Sequence, residues 1–244
     1  MRRDLSVYPS KSELIQSTVK ILIESILRVT RTGTPYHLAL AGGRTPRDIY
    51  ALLAEERNRK QIEWNGVHLF WGDERMVPPN ASDSNFRMVR ESLLDRIEIP
   101  AANIHRMRGE MPPQTAASEY DELLRETFPS TPPMFDLVLL GLGEDGHTAS
   151  LFPGTHVLAV TDQLAAAVYV PKLSAWRVTL TLPVLNNARE ILFVVSGAGK
   201  AEIVKRIMAM NQPDPDLPAT LVLPTRGRVK WLLDSDAAAL LKNE

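Results

Sequence analysis

The sequence contains no cysteine, and this absence excludes three kinds of chemistry. Disulfide bonds, thiol nucleophiles and cysteine-ligated metals all need that side chain. Net charge is also nearly absent, because 28 basic residues balance 29 acidic residues to a formal charge of −1. A chain without a basic surplus has no electrostatic reason to bind nucleic acid or an acidic membrane surface. We therefore expect a small-molecule partner, and a reducing cytoplasm suits the chain.

Long apolar runs are missing as well. No run reaches the roughly 18 apolar residues of a transmembrane helix, and the opening MRRDLSVYPSKSELIQ lacks the apolar segment of a signal peptide. The length of 244 residues suits one large α/β unit, and no repeat or linker divides it. We predict one domain, residues 1–244, that is a monomer or a weak homo-oligomer.

The five histidines follow no metal-binding pattern such as HExxH. His37 and His68 lie inside predicted strands, where packing or hydrogen bonding is the expected role, and His105 is predicted in a loop near a strand. The stretch GLGEDG resembles a dinucleotide fingerprint only superficially, because His147 follows its third glycine and no helix continues it. We expect no metal ion and no organic cofactor.

The chain does contain an alternation of amphipathic helices and short apolar strands. The segment SKSELIQSTVKILIESILRV begins with Ser10 three residues before Glu13, the spacing of a capping box, and then repeats apolar residues at helical intervals. Other helices are predicted in TPRDIYALLAEERNR, SDSNFRMVRESLLDRI, TAASEYDELLRETF and KAEIVKRIMAM. Strands are predicted in YHLALAGG, VHLFWGDE, FDLVLLGLG, AAAVYVP, WRVTLTLP, ILFVVSGAG and RVKWLLD, with a last short helix after them. This order predicts an α/β fold, a largely parallel sheet with helices on both faces.

Ligands of open parallel sheets bind beyond the carboxyl ends of the strands. After YHLALA comes GGRTP, in which Gly42 and Gly43 allow a ligand close to the backbone, Thr45 can cap the next helix and Pro46 fits its first turn. Free amides there would form a cradle for an anion. A tight turn from strand to helix is the alternative interpretation.

Two further strand ends carry charged residues. VHLFW is followed by Asp73, Glu74 and Arg75. These residues are either functional, or they are the helix caps and solvated turns that often follow a strand. The sequence SGAGK places Lys200 at a helix start, where the helix dipole disfavours a cation unless a bound anion is shared with it. An ordinary surface lysine is the alternative, and the spacing is not that of a P-loop.

The loop after FDLVLL contains Asp145, Gly146 and His147. A histidine on a glycine-rich loop at the end of a buried strand is either a surface residue near a turn or a proton-transfer group over a cleft.

Four segments together resemble the 6-phosphogluconolactonase family, in the same order and over nearly the whole chain: LALAGGRTP, FWGDERMVPPNASDSNFRMV, FDLVLLGLGEDGHTASLFPG and LTLPVLNNAREILFVVSGAGKAEIV. The resemblance implies the Rossmann-like α/β fold shared with glucosamine-6-phosphate deaminases and ribose-5-phosphate isomerases. It also implies hydrolysis of 6-phospho-D-glucono-1,5-lactone to 6-phosphogluconate in the oxidative pentose phosphate pathway. Arg44 is a departure, because the family often has serine there.

For that reaction, His147 is the expected general base that takes a proton from water. Arg75 and the amides of the GLGEDGH loop are the expected donors to the carbonyl oxygen, and Asp73 or Asp145 would orient the imidazole or the sugar hydroxyls. The 6-phosphate would lie on the glycine loop and nearby cations: Gly42, Gly43, Arg44, Thr45, Lys200 and Arg87.

Two alternatives share the expected fold. Glucosamine-6-phosphate deaminases have a similar loop, acidic strand end, Asp-Gly-His motif and lysine, but typically read Asp-Glu-Tyr where this chain has DER. They also continue to an Asn-Glu pair, whereas Phe152 stands at the matching offset here. A non-catalytic sugar-phosphate sensor would carry an added DNA-binding segment, yet the sheet pattern here starts by residue 36 and the preceding helix is not basic.

Overall fold

The computed structural model describes residues 4–241, which form ten strands and seven α-helices. The strands are β1 (Asp4–Tyr8), β2 (Tyr36–Leu40), β3 (Val67–Trp71), β4 (Asp73–Arg75), β5 (Ile104–His105), β6 (Leu137–Leu140), β7 (Ala165–Val170), β8 (Ala175–Leu180), β9 (Glu190–Val195) and β10 (Arg228–Asp234). The α-helices are α1 (Lys11–Thr30), α2 (Arg44–Leu53), α3 (Glu56–Arg59), α4 (Asn85–Ser92), α5 (Pro113–Thr127), α6 (Leu182–Leu185) and α7 (Ala201–Ala209). None of the helices within this range is long and apolar enough to cross a membrane.

Seven strands form the main sheet in the order β1-β10-β9-β6-β2-β3-β5, and every neighbouring pair in it is parallel. All residues of β6 and β9 are buried. Continuous burial is typical of parallel strands that are covered on both faces. The predicted Rossmann-like α/β fold is therefore confirmed.

The strand order reverses between β2 and β6. From β2 the chain proceeds outward through β3 to β5, and it then returns to place β6 on the other side of β2, followed by β9 and β10. Connections from the adjacent strands β2 and β6 therefore leave the sheet in opposite directions. A crevice opens between the carboxyl ends of two such strands, and it is the usual ligand site of this fold.

A second, smaller sheet is antiparallel and has the order β4-β8-β7. The segments AAAVYVP and WRVTLTLP were expected among the strands of a largely parallel sheet, but they form the β7–β8 hairpin of this sheet. A parallel pair needs a crossover of about a dozen residues, whereas only a short 3-10 turn, Pro171–Leu173, and Ser174 separate β7 from β8. The third strand, β4, consists of the DER triplet.

The start of α1 agrees with the predicted helix start, and the start of α2 does not agree with the predicted cap. Ser10 is the N-cap of α1, and its side chain accepts a hydrogen bond of 3.2 Å from the amide of Glu13. The N-cap of α2 is Gly43, and no side chain within residues 4–241 caps that helix. Thr45 and Pro46 both lie inside the first turn of α2, so the prediction of a Thr45 cap is wrong.

Three local features differ from the predictions. The segment Asp4–Tyr8 forms β1, for which no element was predicted. His105 is part of strand β5 instead of a loop, because it pairs with Phe70 of β3. Residues 235–241 form turns instead of the predicted helix. The rest of the helix predicted after β10 lies outside the described residues.

Candidate active site

A cleft of about 300 Å³ lies at the carboxyl ends of β2, β3, β6 and β9. It contains the reversal point between β2 and β6, where the fold is expected to bind a ligand. The structure brings most of the predicted site residues together in its lining: Gly42, Gly43, Arg44, Thr45, Asp73, Arg75, His147 and Lys200. Asp145 lines an adjoining cavity that shares His147 with the cleft.

The loop between β2 and α2 depends on its two glycines. Gly43 has φ of +108°, which L side chains rarely adopt. A Cβ on Gly42 would lie 2.0 Å from Oδ1 of Asn85, which is buried. No acceptor among residues 4–241 pairs with the amides of Arg44 and Thr45. Unpaired amides at a helix start can donate hydrogen bonds to an anion.

Lys200 approaches the same cleft from the end of β9. It ends the 3-10 turn Ala198–Lys200, directly before α7. The turn is held by the amide of Gly197, which donates a hydrogen bond of 3.0 Å to the buried carboxylate of Asp234. The ammonium group lies 4.0 Å from the exposed carboxylate of Glu144. Such a solvated pair is weak, so the charge of Lys200 remains available to an anion.

The loop after β6 closes around His147. The amide of Gly143 donates a hydrogen bond of 2.8 Å to the carbonyl oxygen of His147. A Cβ on Gly143 would lie 2.0 Å from the imidazole Nδ1, so glycine is required for this approach. Gly146 has φ of +83°, again a conformation that favours glycine. The glycines of GLGEDG therefore shape the position of the histidine.

The imidazole of His147 is held on two sides. Its Nδ1 is hydrogen-bonded to a carboxylate oxygen of Asp145. The ring of Phe152 stacks on it with a centroid distance of 4.0 Å and an angle of 21° between the planes. In the part of the chain that the structure describes, no hydrogen-bond partner contacts Nε2. Because the carboxylate accepts a hydrogen bond, the proton is assigned to Nδ1, and the lone pair of Nε2 stays free.

Asp145 remains ionised beside this imidazole. Burial raises the pKa of its carboxyl, but the hydrogen bond and charge of His147, with Lys172, lower that pKa to about 2. The ammonium group of Lys172 lies 3.2 Å from the second carboxylate oxygen. Asp145 is thus an acceptor for His147 at any pH near neutrality.

Asp73 and Glu74 are neighbours with different surroundings. Asp73 is buried and lines the cleft, and it accepts hydrogen bonds from the Ser150 hydroxyl (2.7 Å) and the Asn85 side chain (3.2 Å). Glu74 accepts hydrogen bonds from the amides of Asn85 and Phe86 at the start of α4. Burial raises the pKa of the Glu74 carboxyl against the effect of these amides. Glu74 is therefore a helix cap, and Asp73 belongs to the cleft.

Arg75 and Arg87 also differ in their surroundings. Arg75 lines the cleft, and its Nη1 donates a hydrogen bond of 2.6 Å to the carbonyl oxygen of Asp83. The guanidinium of Arg87 contacts Glu91 (2.6 Å) and the carbonyl oxygen of Asn80 (3.1 Å). Arg87 is not among the residues that line the cleft, so the structure does not bring this predicted phosphate contact to the others.

Sequence reasoning missed two cations, Lys172 and Arg177, on the β7–β8 hairpin. They line a second cavity of about 170 Å³, which shares Asp73, Arg75 and His147 with the cleft. Their position over the site comes from the pairing of β8 with β4, and no local motif signals that pairing. Asn85 and Ser150, the partners of Asp73, were also missed, because they lie 12 and 77 residues from it in the chain.

Residues 4–241 contain no cluster of side chains that could hold a metal ion. Across residues 4–241, no group of three or more His, Asp or Glu side chains is arranged to hold a metal ion. The three neighbouring histidines of the main sheet, His37, His68 and His105, contact one another and nearby phenylalanine rings instead. The packing role predicted for His37 and His68 agrees with these contacts.

The fold and the cleft define a Rossmann-like α/β protein with a polar ligand site at the point where the strand order reverses. The chain belongs to the family described as glucosamine-6-phosphate isomerases/6-phosphogluconolactonase, whose sequence model matches residues 9–231. This result confirms the family resemblance of the four sequence segments.

Individual relatives agree with this assignment. A 6-phosphogluconolactonase of Nostoc sp. is 36% identical over 99% of this chain and 99% of its own length. The solved structure of 6-phosphogluconolactonase from Trypanosoma brucei has a TM-score of 0.84 and 30% identity, and the match covers 99% of both chains. A monomeric glucosamine-6-phosphate deaminase has a TM-score of 0.82 but 21% identity, over 97% of this chain and 99% of that one. The last likeness shows a common fold alone.

Proposed function

We propose that this protein hydrolyses 6-phospho-D-glucono-1,5-lactone to 6-phospho-D-gluconate in the oxidative pentose phosphate pathway. The observation that carries the proposal is an imidazole fixed through Nδ1 by Asp145, with Nε2 unpartnered within residues 4–241, in the lining of a cleft with an anion cradle. Relatives of the chain are named 6-phosphogluconolactonase, which supports the same substrate.

His147 is the general base in this proposal. Water attacks C1 of the lactone while Nε2 takes one of its protons, and assistance of this kind is worth roughly 10²–10⁴-fold in rate. The bond between C1 and the ring oxygen then breaks, and the imidazolium returns the proton to that oxygen. Asp145 stabilises the transient imidazolium through the Nδ1 hydrogen bond. The carboxylic acid formed at C1 ionises in water, so each turnover releases one proton.

Charge develops on the former carbonyl oxygen during the attack. Arg75 lines both the cleft and the second cavity and is the proposed cationic donor, together with backbone amides of the loop after β6. Asp73 is buried at the cleft and is held by Ser150 and Asn85, so its carboxylate is positioned to bind sugar hydroxyls. No contact of Asp73 with the imidazole is found within residues 4–241.

The phosphate of the substrate fits the opposite part of the cleft. Gly42, Gly43, Arg44 and Thr45 supply the loop at the start of α2, and Lys200 supplies a cation from the end of β9. Backbone amides, a helix start and an ammonium group are together a suitable site for a dianion. Arg87 would need a different side-chain conformation to join this site, because it contacts Glu91 here.

Deamination of glucosamine 6-phosphate is the rival activity on this fold. Phe152 stands where deaminases continue to a glutamate, and its ring stacks on His147, so this position offers no carboxylate to that imidazole. Lactone hydrolysis needs no carbon-acid chemistry, so it does not need that carboxylate. A sugar-phosphate sensor would lack turnover altogether.

An assay with freshly generated 6-phosphogluconolactone tests the proposal. We expect the purified protein to accelerate decay of the lactone above the spontaneous rate and to leave glucosamine 6-phosphate unchanged. The opposite substrate preference would support the deaminase, and binding without turnover of either compound would support the sensor. We also propose that the chain acts in the cytoplasm as one domain, residues 1–244. It is either a monomer or a weak homo-oligomer, and a sedimentation experiment would measure its mass in solution.

A further inference from the structure

Two arginines face each other across the small sheet beside the cleft. In the antiparallel pairing of β4 with β8, Arg75 lies directly opposite Arg177. Side chains at directly opposed positions lie on the same face, and like charges there destabilise a sheet. Asp73 lies two residues before Arg75, so it shares this face. Two cations directly opposite each other, with Asp73 on the same face of β4, need an explanation.

Within residues 4–241, neither Arg75 nor Arg177 forms an ion pair of 4.0 Å or less with a carboxylate oxygen. Their protein contacts are carbonyl oxygens, from Asp83 to Arg75 (2.6 Å) and from Trp176 to Arg177 (3.0 Å). Burial, and then the charge of Arg75, lower the pKa of the Arg177 guanidinium, and the charges of Asp73, Asp83 and Glu74 offset this only in part. The pair is therefore partly desolvated, and the net effect of its surroundings disfavours the charge of Arg177.

The pair lines the second cavity, which reaches the proposed base. That cavity has a volume of about 170 Å³, and His147 belongs to both its lining and the lining of the main cleft. The third cation of the cavity, Lys172, already contacts Asp145 at 3.2 Å. The two carboxylates of the cavity, Asp73 and Asp145, already accept hydrogen bonds from protein donors. An anion in this cavity would be bound by the two arginines, next to the imidazole.

We propose that Arg177, together with Arg75, binds the carboxylate that hydrolysis creates at C1 of the product. This inference rests on the proposed function. The lactone carbonyl is neutral, and hydrolysis converts it to an anion at the carbon that water attacks beside His147. Guanidinium groups are suited to carboxylates because their planar N–H donors match the two oxygens. The phosphate occupies the cradle at Lys200, so the two ends of the product are bound by different cations.

The test compares two inhibitors that differ only at C1. 6-Phosphogluconate has a carboxylate there, and glucitol 6-phosphate has a hydroxymethyl group, while the phosphate is the same. In Arg177→Gln we expect the inhibition constant of 6-phosphogluconate to rise about tenfold to a hundredfold, and that of glucitol 6-phosphate to change less than twofold. The exposed Arg206 of α7 gives the matched control, Arg206→Gln, which should leave both constants unchanged.

Each other outcome overturns the inference. Equal weakening of both inhibitors would place Arg177 at the phosphate, and no weakening of either would show that Arg177 contacts neither end. If Arg177→Gln does not fold, Arg177→Lys keeps the charge and loses the planar donor pair, and it should still weaken 6-phosphogluconate selectively. Unselective effects in that variant would equally contradict the inference. Turnover of the lactone by the unmodified protein is measured separately, so failure of the proposed function is distinguished from failure of this inference.

Discussion

The imidazole Nδ1 of His147 is hydrogen-bonded to Asp145, which lies two residues earlier on the same loop. The contact is local in sequence, but its geometry depends on Gly143, whose missing side chain leaves room for the imidazole. Asp145 and Lys172 then connect the loop to the β7–β8 hairpin. The proposed base is therefore positioned by the loop after β6 and by the small sheet together.

Replacement of His147 by Gln should lower kcat by roughly 10²–10⁴-fold, because the lost group transfers the proton. Glutamine retains a polar side chain of similar length, so thermal unfolding and inhibition by glucitol 6-phosphate should change little. Stopped-flow or pH-indicator assays with the spontaneous rate subtracted would measure the effect. Turnover equal to that of the unmodified protein would exclude His147 as the base.

Asp145→Asn should lower kcat about 10²-fold or more with little change in KM, because an amide neither fixes the Nδ1 proton nor stabilises imidazolium. The pKa of Asp145 is about 2, so its ionisation should not limit the rate at any pH above about 4. A pH–rate profile of the unmodified protein checks this second point. If activity falls only below pH 4, the group whose protonation stops turnover is a carboxyl group and not the imidazole of His147.

Lys200→Ala should raise KM for the phosphorylated lactone by about tenfold to a hundredfold, since a charge-assisted contact contributes about 1.5–3 kcal/mol. The loss should be much smaller for gluconolactone, which has no phosphate. Lys205→Ala, on the exposed surface of α7, is the matched control. If the two substrates lose kcat/KM equally, Lys200 acts elsewhere than at the phosphate.

Gly42→Ala should destabilise the protein by about 1–3 kcal/mol, because overpacking displaces neighbouring groups. The new Cβ would lie 2.0 Å from Oδ1 of Asn85, and that side chain is buried and hydrogen-bonded to Asp73. Urea unfolding measures the free energy, and activity should fall with it. Gly66→Ala is the control, since a Cβ there meets only Thr30 at an ordinary 3.4 Å. Equal stability of both variants would contradict the close contact.

Stability should fall as the pH is lowered from about 6.5 to about 4. Burial, and then the charges of His68 and His37, lower the pKa of His105 from 6.5 to about 4. The unfolded chain therefore binds a proton in this window that the folded protein does not bind, so protonation favours unfolding. Urea midpoints at pH 7.5 and pH 5 would show the trend.

His105→Gln should flatten that dependence, because glutamine keeps a polar side chain beside Nδ1 of His68 and does not titrate. The exposed His156 provides the control, and His156→Gln should leave the slope unchanged. An identical pH dependence in the His105 variant would mean that other groups cause the acid lability.

The sequence by itself determined the local elements and the strand ends. Apolar runs bounded by turn residues predicted β2, β3, β6, β9 and β10, because a buried parallel strand needs a continuous apolar segment. Glycine-rich motifs after these strands predicted the cleft, since the carboxyl ends of parallel strands meet at one edge. The same motifs carried the family resemblance, which extended over nearly the whole chain.

Only the tertiary structure decided which side chains meet. Asp73 contacts Asn85 and Ser150, and Arg75 faces Arg177, through strand pairing and packing between segments that are distant in the chain. The three residues of β4 do not indicate how this strand is aligned with β8. A shift of the alignment by one residue would turn each side chain to the other face of the sheet.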